Sequence, residues 1–237
     1  MAEAFSREQR AAAWAVHCFT ASGGAVGFWA LISVLNGDIQ TAWLLLGLAF
    51  VIDGFDGALA RKARVKEVLP RFNGIILDGI VDYLTYVTVP AVLVYKLGLL
   101  PESLLILGGI FIMLSSIPAF CSLDVHTPDH FFVGFSAIWN VVVLYFYLFD
   151  TNPILNAVVV LVLGILTFTQ IKIVHPVRVK KLRPLTLVVL ASWAVSSIVM
   201  IVTHPDHPAW AGPLLVVSTL YFVAVSLWRT VQDWVRD

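Results

Sequence analysis

Eight apolar runs, each near the roughly 20 residues a helix needs to cross a bilayer, take up most of this sequence. They fall at about 14–35, 41–60, 75–95, 103–121, 132–149, 153–171, 185–202 and 213–229. A backbone in lipid must satisfy its own hydrogen bonds, so runs of this length call for helices. The expected fold is all-α: a polytopic transmembrane helical bundle of about eight spans, one domain over residues 1–237. Only 13% of the residues are charged, where a soluble domain carries about 25%. Formal net charge is zero, so no nucleic-acid partner is expected, and the lipid bilayer is the first partner.

The connections divide by charge. Asn36-Gly37-Asp38, Leu100-Pro101-Glu102, Asp150-Thr151-Asn152-Pro153 and His204-Pro205-Asp206-His207-Pro208 are turn-rich and carry no Lys or Arg. The connections 61–74 and 172–184 are strongly basic. With both termini cytoplasmic, every Lys and Arg except Lys96 lies on the inner side, which is the orientation the positive-inside rule selects. The first run is longer than a signal-peptide core and is expected to stay as the first span. Cys18 and Cys121 cannot make a disulfide framework and read as small core residues.

Residues 53–82 do not fit a plain scaffold. Asp53 and Asp56 are three apart, and Asp78 and Asp82 are four apart, at the ends of two apolar runs. Both spacings put each pair on one helix face. Two helices meeting at those faces would bring four carboxylates together, and such a group repels itself unless a cation sits among them. The donors are hard oxygens with no thiolate or imidazole, so Mg²⁺, Mn²⁺ or Ca²⁺ suits them better than zinc. Four carboxylates suffice for two ions about 4 Å apart, an arrangement used for phosphoryl displacement. Gly57 and Ala60 share the face of the first pair, Gly74 lies one turn before Asp78, and Arg61 follows directly. The small residues leave room for a bulky ligand, and arginine can bind phosphate in a bidentate way.

The pattern Asp53-x2-Asp56-Gly57-x2-Ala60-Arg61-x12-Gly74-x3-Asp78-x3-Asp82 resembles the signature of the CDP-alcohol phosphatidyltransferases, integral membrane enzymes of phospholipid synthesis. The 12 residues between Arg61 and Gly74 exceed the gap of most members and are similar to that of the bacterial branch that joins choline to CDP-diacylglycerol. The stretches from His17 to Gly23, Lys66 to Phe72, Asp129 to Phe135 and His175 to Arg178 resemble that branch as well.

The resemblance implies transfer of a phosphatidyl group from CDP-diacylglycerol to choline, with release of CMP, in the bacterial inner membrane with the site at its cytoplasmic face. Asp53, Asp56, Asp78 and Asp82 would hold one or two Mn²⁺ or Mg²⁺ ions, with Asp82 also the general base. Gly57, Ala60, Arg61 and Gly74 would seat the CDP moiety. Thr20 and Ser22, in a region bordering the family's nucleotide pocket, are further contacts, although each is also placed to bond its own helix backbone. An open lateral groove is expected for the lipid.

Choline's quaternary ammonium is held by aromatic faces and nearby negative charge. The segment 121–140 has Asp124, Asp129, His126, His130, Phe131, Phe132, Phe135 and Trp139 and no Lys or Arg. Trp139, with Tyr83 and Tyr86 beside Asp82, is therefore a choline candidate. Arg178 and Lys180 are candidates for the diphosphate, and the uncharged last two runs for scaffold or a homodimer surface. Two other readings stand beside this one: the same transfer to serine, inositol or glycerol phosphate, and a cation transporter that uses the carboxylates as an ion path.

Overall fold

A computed structural model describes residues 5–122, 131–173 and 183–234. Asp124, His126, Asp129 and His130, and likewise His175, Arg178 and Lys180, lie outside the described residues. Nine helices occur among the described residues once helical pieces that run on without a break are joined: α1 (Arg7–Asn36), α2 (Ile39–Lys62), α3 (Val65–Val68), α4 (Gly74–Lys96), α5 (Glu102–Cys121), α6 (Trp139–Leu148), α7 (Pro153–Leu166), α8 (Arg183–Thr203) and α9 (Ala211–Trp234). Each of the eight apolar runs contains a helix, but six helices (α1, α2, α4, α5, α8 and α9) are long and apolar enough to cross a membrane. The other two, α6 and α7, have 10 and 14 residues, or about 15 and 21 Å at the helical rise, short of the roughly 30 Å hydrocarbon core.

The shortening has a local cause. Phe132–Val133 (β1) pairs antiparallel with Lys172–Ile173 (β2), Phe132 opposite Ile173 and Val133 opposite Lys172. The apolar runs 132–149 and 153–171 thus give up their ends to this strand pair and its turns. Gly134, at φ +77, donates its N–H to the Ile171 carbonyl at 2.8 Å. Hydrophobicity alone does not register such a pairing, and this two-stranded sheet is the one departure from an all-α fold among the described residues.

Caps set the first hairpin. Ser6 accepts from the Gln9 N–H at 3.2 Å, and Gln9 accepts from the Ser6 N–H at 2.8 Å. This reciprocal pair starts α1 ahead of its apolar run. Gly37, left-handed at φ +81, ends it, and Asp38 caps α2. The resulting tight turn lays α2 against α1, which also packs on α4. Asn73 caps α4 by accepting from the N–H groups of Ile75 and Ile76. Within α4, Tyr83–Thr88 forms a π-helical turn. Pro90 explains it: proline lacks an N–H and crowds the carbonyl four residues back, and the Val89 N–H bonds to Leu84, five residues back.

The main core gathers Trp139, Leu93, Ile112, Met200 and Leu215. Many large apolar residues face outward instead, including Phe28, Ile75, Ile106 and Phe168. That surface suits lipid and not water, and the protein is an integral membrane protein. Cys18 and Cys121 are also exposed, which corrects their assignment to the core: on an apolar helix in lipid, the outward face accepts small apolar side chains equally well.

Candidate active site

The hairpin and the α1–α4 packing bring the two acidic pairs together. Carboxylate oxygens of Asp53, Asp78 and Asp82 lie within 4.8 Å of one another. Asp56 falls outside that group of three but stays within electrostatic reach of Asp82. It is buried, and with Asp78 it lines a cleft of about 740 Å³. Three converging carboxylates, with no sulfur or imidazole among them, fit a hard divalent cation. Tyr86, buried on the π-helical turn, donates its hydroxyl to Asp53 Oδ2 at 2.6 Å.

The cleft collects most of the residues singled out in the sequence. Thr20 lies on its α1 side; Gly57, Ala60 and Arg61 lie on its α2 side; Gly74 and Asp78 come from α4. Arg64, Lys66 and Arg71 add positive charge along the connection that carries α3. Arg64 adopts a left-handed conformation at φ 52 and pairs with Glu67. The Arg64 guanidinium bonded to it holds the exposed Glu67 carboxyl below its usual range. The cleft therefore carries the Asp56 and Asp78 carboxylates together with the cations Arg61, Arg64, Lys66 and Arg71, a set that suits a metal-bound diphosphate.

Several candidates, Thr20 within the cleft and the others away from it, bond to the protein itself. Ser22 is exposed and donates to the Phe19 carbonyl of its own helix at 2.6 Å. Thr20 likewise makes a long 3.4 Å bond to the Val16 carbonyl. The Tyr83 hydroxyl donates to the Met113 carbonyl at 2.9 Å. Trp139 is fully buried, with its indole N–H on Ser116 Oγ at 2.8 Å and its ring against Phe135. Neither Trp139 nor Tyr83 lines the cleft.

Two features are not assigned to the site by sequence alone. His17 and Phe72 line the cleft, with ring centroids 4.4 Å apart; a histidine on an apolar helix gives no spacing signal of its own. A second, apolar cavity of about 300 Å³ lies between α2, α6 and α8, with Phe50, Leu144 and Trp193 in its wall. Phe50 meets the Tyr86 ring edge-on at 6.2 Å, so this cavity adjoins the tyrosine that holds Asp53.

A comparison with the models of known protein families finds no match. Individual proteins do match. The chain is 44% identical over 226 residues to a phosphatidylcholine synthase of Pseudomonas aeruginosa, covering 95% of this chain and 94% of that one. It is 38% identical over 213 residues to one of Rhizobium johnstonii, covering 90% and 88%. It is 37% identical over 234 residues to one of Legionella pneumophila, covering 95% and 91%.

Proposed function

The chain belongs to the phosphatidylcholine synthase family, and from that premise we propose that it transfers the phosphatidyl group of CDP-diacylglycerol to choline and releases CMP. The observation that carries the proposal is the convergence of Asp53, Asp78 and Asp82, of which Asp78 also lines a cleft that carries Arg61, Arg64, Lys66 and Arg71. Bound by Asp53, Asp56, Asp78 and Asp82, one or two Mg²⁺ or Mn²⁺ ions would neutralise the diphosphate and the charge that develops on the departing CMP.

The residues divide the remaining work. Gly57, Ala60 and Gly74 present little side chain and let the nucleotide lie close to the helix backbones. Arg61 binds a phosphate oxygen from the α2 side. Asp82 takes the proton of the choline hydroxyl. The choline oxygen then bonds the phosphorus that carries diacylglycerol, and the bond from that phosphorus to the bridging oxygen breaks. CMP leaves with that oxygen. The apolar cavity beside Phe50 supplies the lateral groove for an acyl chain.

The same reading makes residues 1–237 one domain in the bacterial inner membrane. Both termini and the cleft are cytoplasmic, where CDP-linked substrates are made. The charge asymmetry supports that orientation: the cations of the cleft belong to the end of α2 and the basic connection after it, and Lys96 is the last residue of α4, at its far end.

Acceptor choice tests the proposal. Purified protein in liposomes with CDP-diacylglycerol and Mn²⁺ is given choline, serine, inositol or glycerol 3-phosphate, and CMP is measured. Release with choline alone is expected. Release with another alcohol would overturn the acceptor, and no release with any would favour a cation transporter.

A further inference from the structure

We infer that His17 binds the nucleotide base of the donor, an assignment that rests on the proposed phosphatidyl transfer. His17 is 5% exposed, and its Nε2 is buried without a hydrogen-bond partner. A buried polar nitrogen normally has a partner, and each exception calls for an explanation. Here the residue lines the cleft. Its ring is held on three sides: Phe72 at 4.4 Å, Trp14 edge-on at 5.8 Å, and the start of α4, where a Cβ on Gly74 would stand only 2.9 Å from His17 Cε1. Gly74 is therefore required not only for ligand room but to let this imidazole sit where it does.

The position selects the part of the ligand. Gly74 precedes Asp78 by one helical turn, about 6 Å at the helical rise, so His17 stands outward of the acid cluster by about that distance. Phosphates held at the acids would point their nucleoside toward it. The surroundings select a base over a phosphate, because Phe72, which lines the cleft beside the imidazole, offers an aromatic ring to a flat heteroaromatic group. The cations that line the cleft come instead from the end of α2 and the connection after it. Phe72 is exposed and lies on the short turn between α3 and α4. An entering base displaces it from the imidazole and adds what phenylalanine lacks, a polar edge within reach of Nε2.

The test is equilibrium binding of CMP and of ribose 5-phosphate, which lacks the base, to the full-length protein in nanodiscs with Mn²⁺. His17→Leu is expected to lower CMP affinity about tenfold, the size of one hydrogen bond. His17→Gln, which keeps a polar terminus near Nε2, should stay within about threefold of the parent. Ribose 5-phosphate should bind all three alike. Unchanged CMP affinity in His17→Leu, or an equal loss for both ligands, overturns the assignment and leaves His17 a packing residue.

Should His17→Leu fail to fold, the unaltered protein with ¹⁵N-labelled histidine decides. CMP should shift the His17 imidazole resonance and ribose 5-phosphate should not; no shift with CMP overturns the assignment. A parent protein that releases CMP while His17→Leu binds normally refutes only this inference. A parent that neither binds nor releases CMP refutes the transfer reading, and this inference with it.

Discussion

The hydroxyl of Tyr86 donates to Oδ2 of Asp53 at 2.6 Å, so the helix that carries Asp78 and Asp82 also holds the acid of the opposing helix. A ligand orienter of this kind commonly matters 10–100-fold to metal affinity or activity. Tyr86→Phe removes the hydroxyl and keeps the buried ring. The Mn²⁺ concentration that half-saturates CMP release should rise at least about tenfold, with the melting temperature little changed. An unchanged metal dependence would show that Asp53 needs no such support.

Much of this site is legible in the amino-acid sequence. The three- and four-residue spacings of the acids orient each pair, and Asp53, Asp78 and Asp82 do meet. Asp56 falls outside that group and lines the cleft beside Asp78 instead, a difference that a shared helix face does not foretell. Trp139 is legible as an aromatic but not as a buried one: burial depends on Ser116 and Phe135, brought in by other elements. The same limit explains α6 and α7. Their apolar runs are plain in the sequence, but the pairing of Phe132 with Ile173 joins residues too far apart for periodicity to reveal.

Packing between α1 and α4 brings the acids together, and Gly27 lies at one of its closest approaches. A Cβ on Gly27 would lie 2.7 Å from Thr85 Cγ2 and 3.0 Å from a Leu84 methyl. Gly27→Val should destabilise the protein by about 1–3 kcal/mol through overpacking, read as a lower melting temperature with loss of activity. Gly47 has nothing within 4 Å of an added Cβ, so Gly47→Ala on the same scaffold should be neutral or slightly stabilising. Equal effects at the two sites would contradict the close approach of α1 and α4.

Orientation is tested by labelling single cysteines. In a Cys18→Ala, Cys121→Ala background, Lys66→Cys lies on the exposed basic connection and Glu102→Cys at the exposed start of α5. In sealed right-side-out vesicles, an impermeant thiol reagent should modify the cysteine at 102 and reach the one at 66 only after permeabilisation. The reverse pattern would place the cleft outside.

The most direct measurement follows labelled choline into lipid. Purified protein in liposomes with CDP-diacylglycerol should form labelled phosphatidylcholine and CMP in equal amounts. The reaction should stop with EDTA, return with Mn²⁺ or Mg²⁺, and fall by at least about a hundredfold in Asp82→Asn, as loss of a general base commonly costs. Undiminished lipid formation by Asp82→Asn, or by the parent protein stripped of divalent metal, would contradict the account.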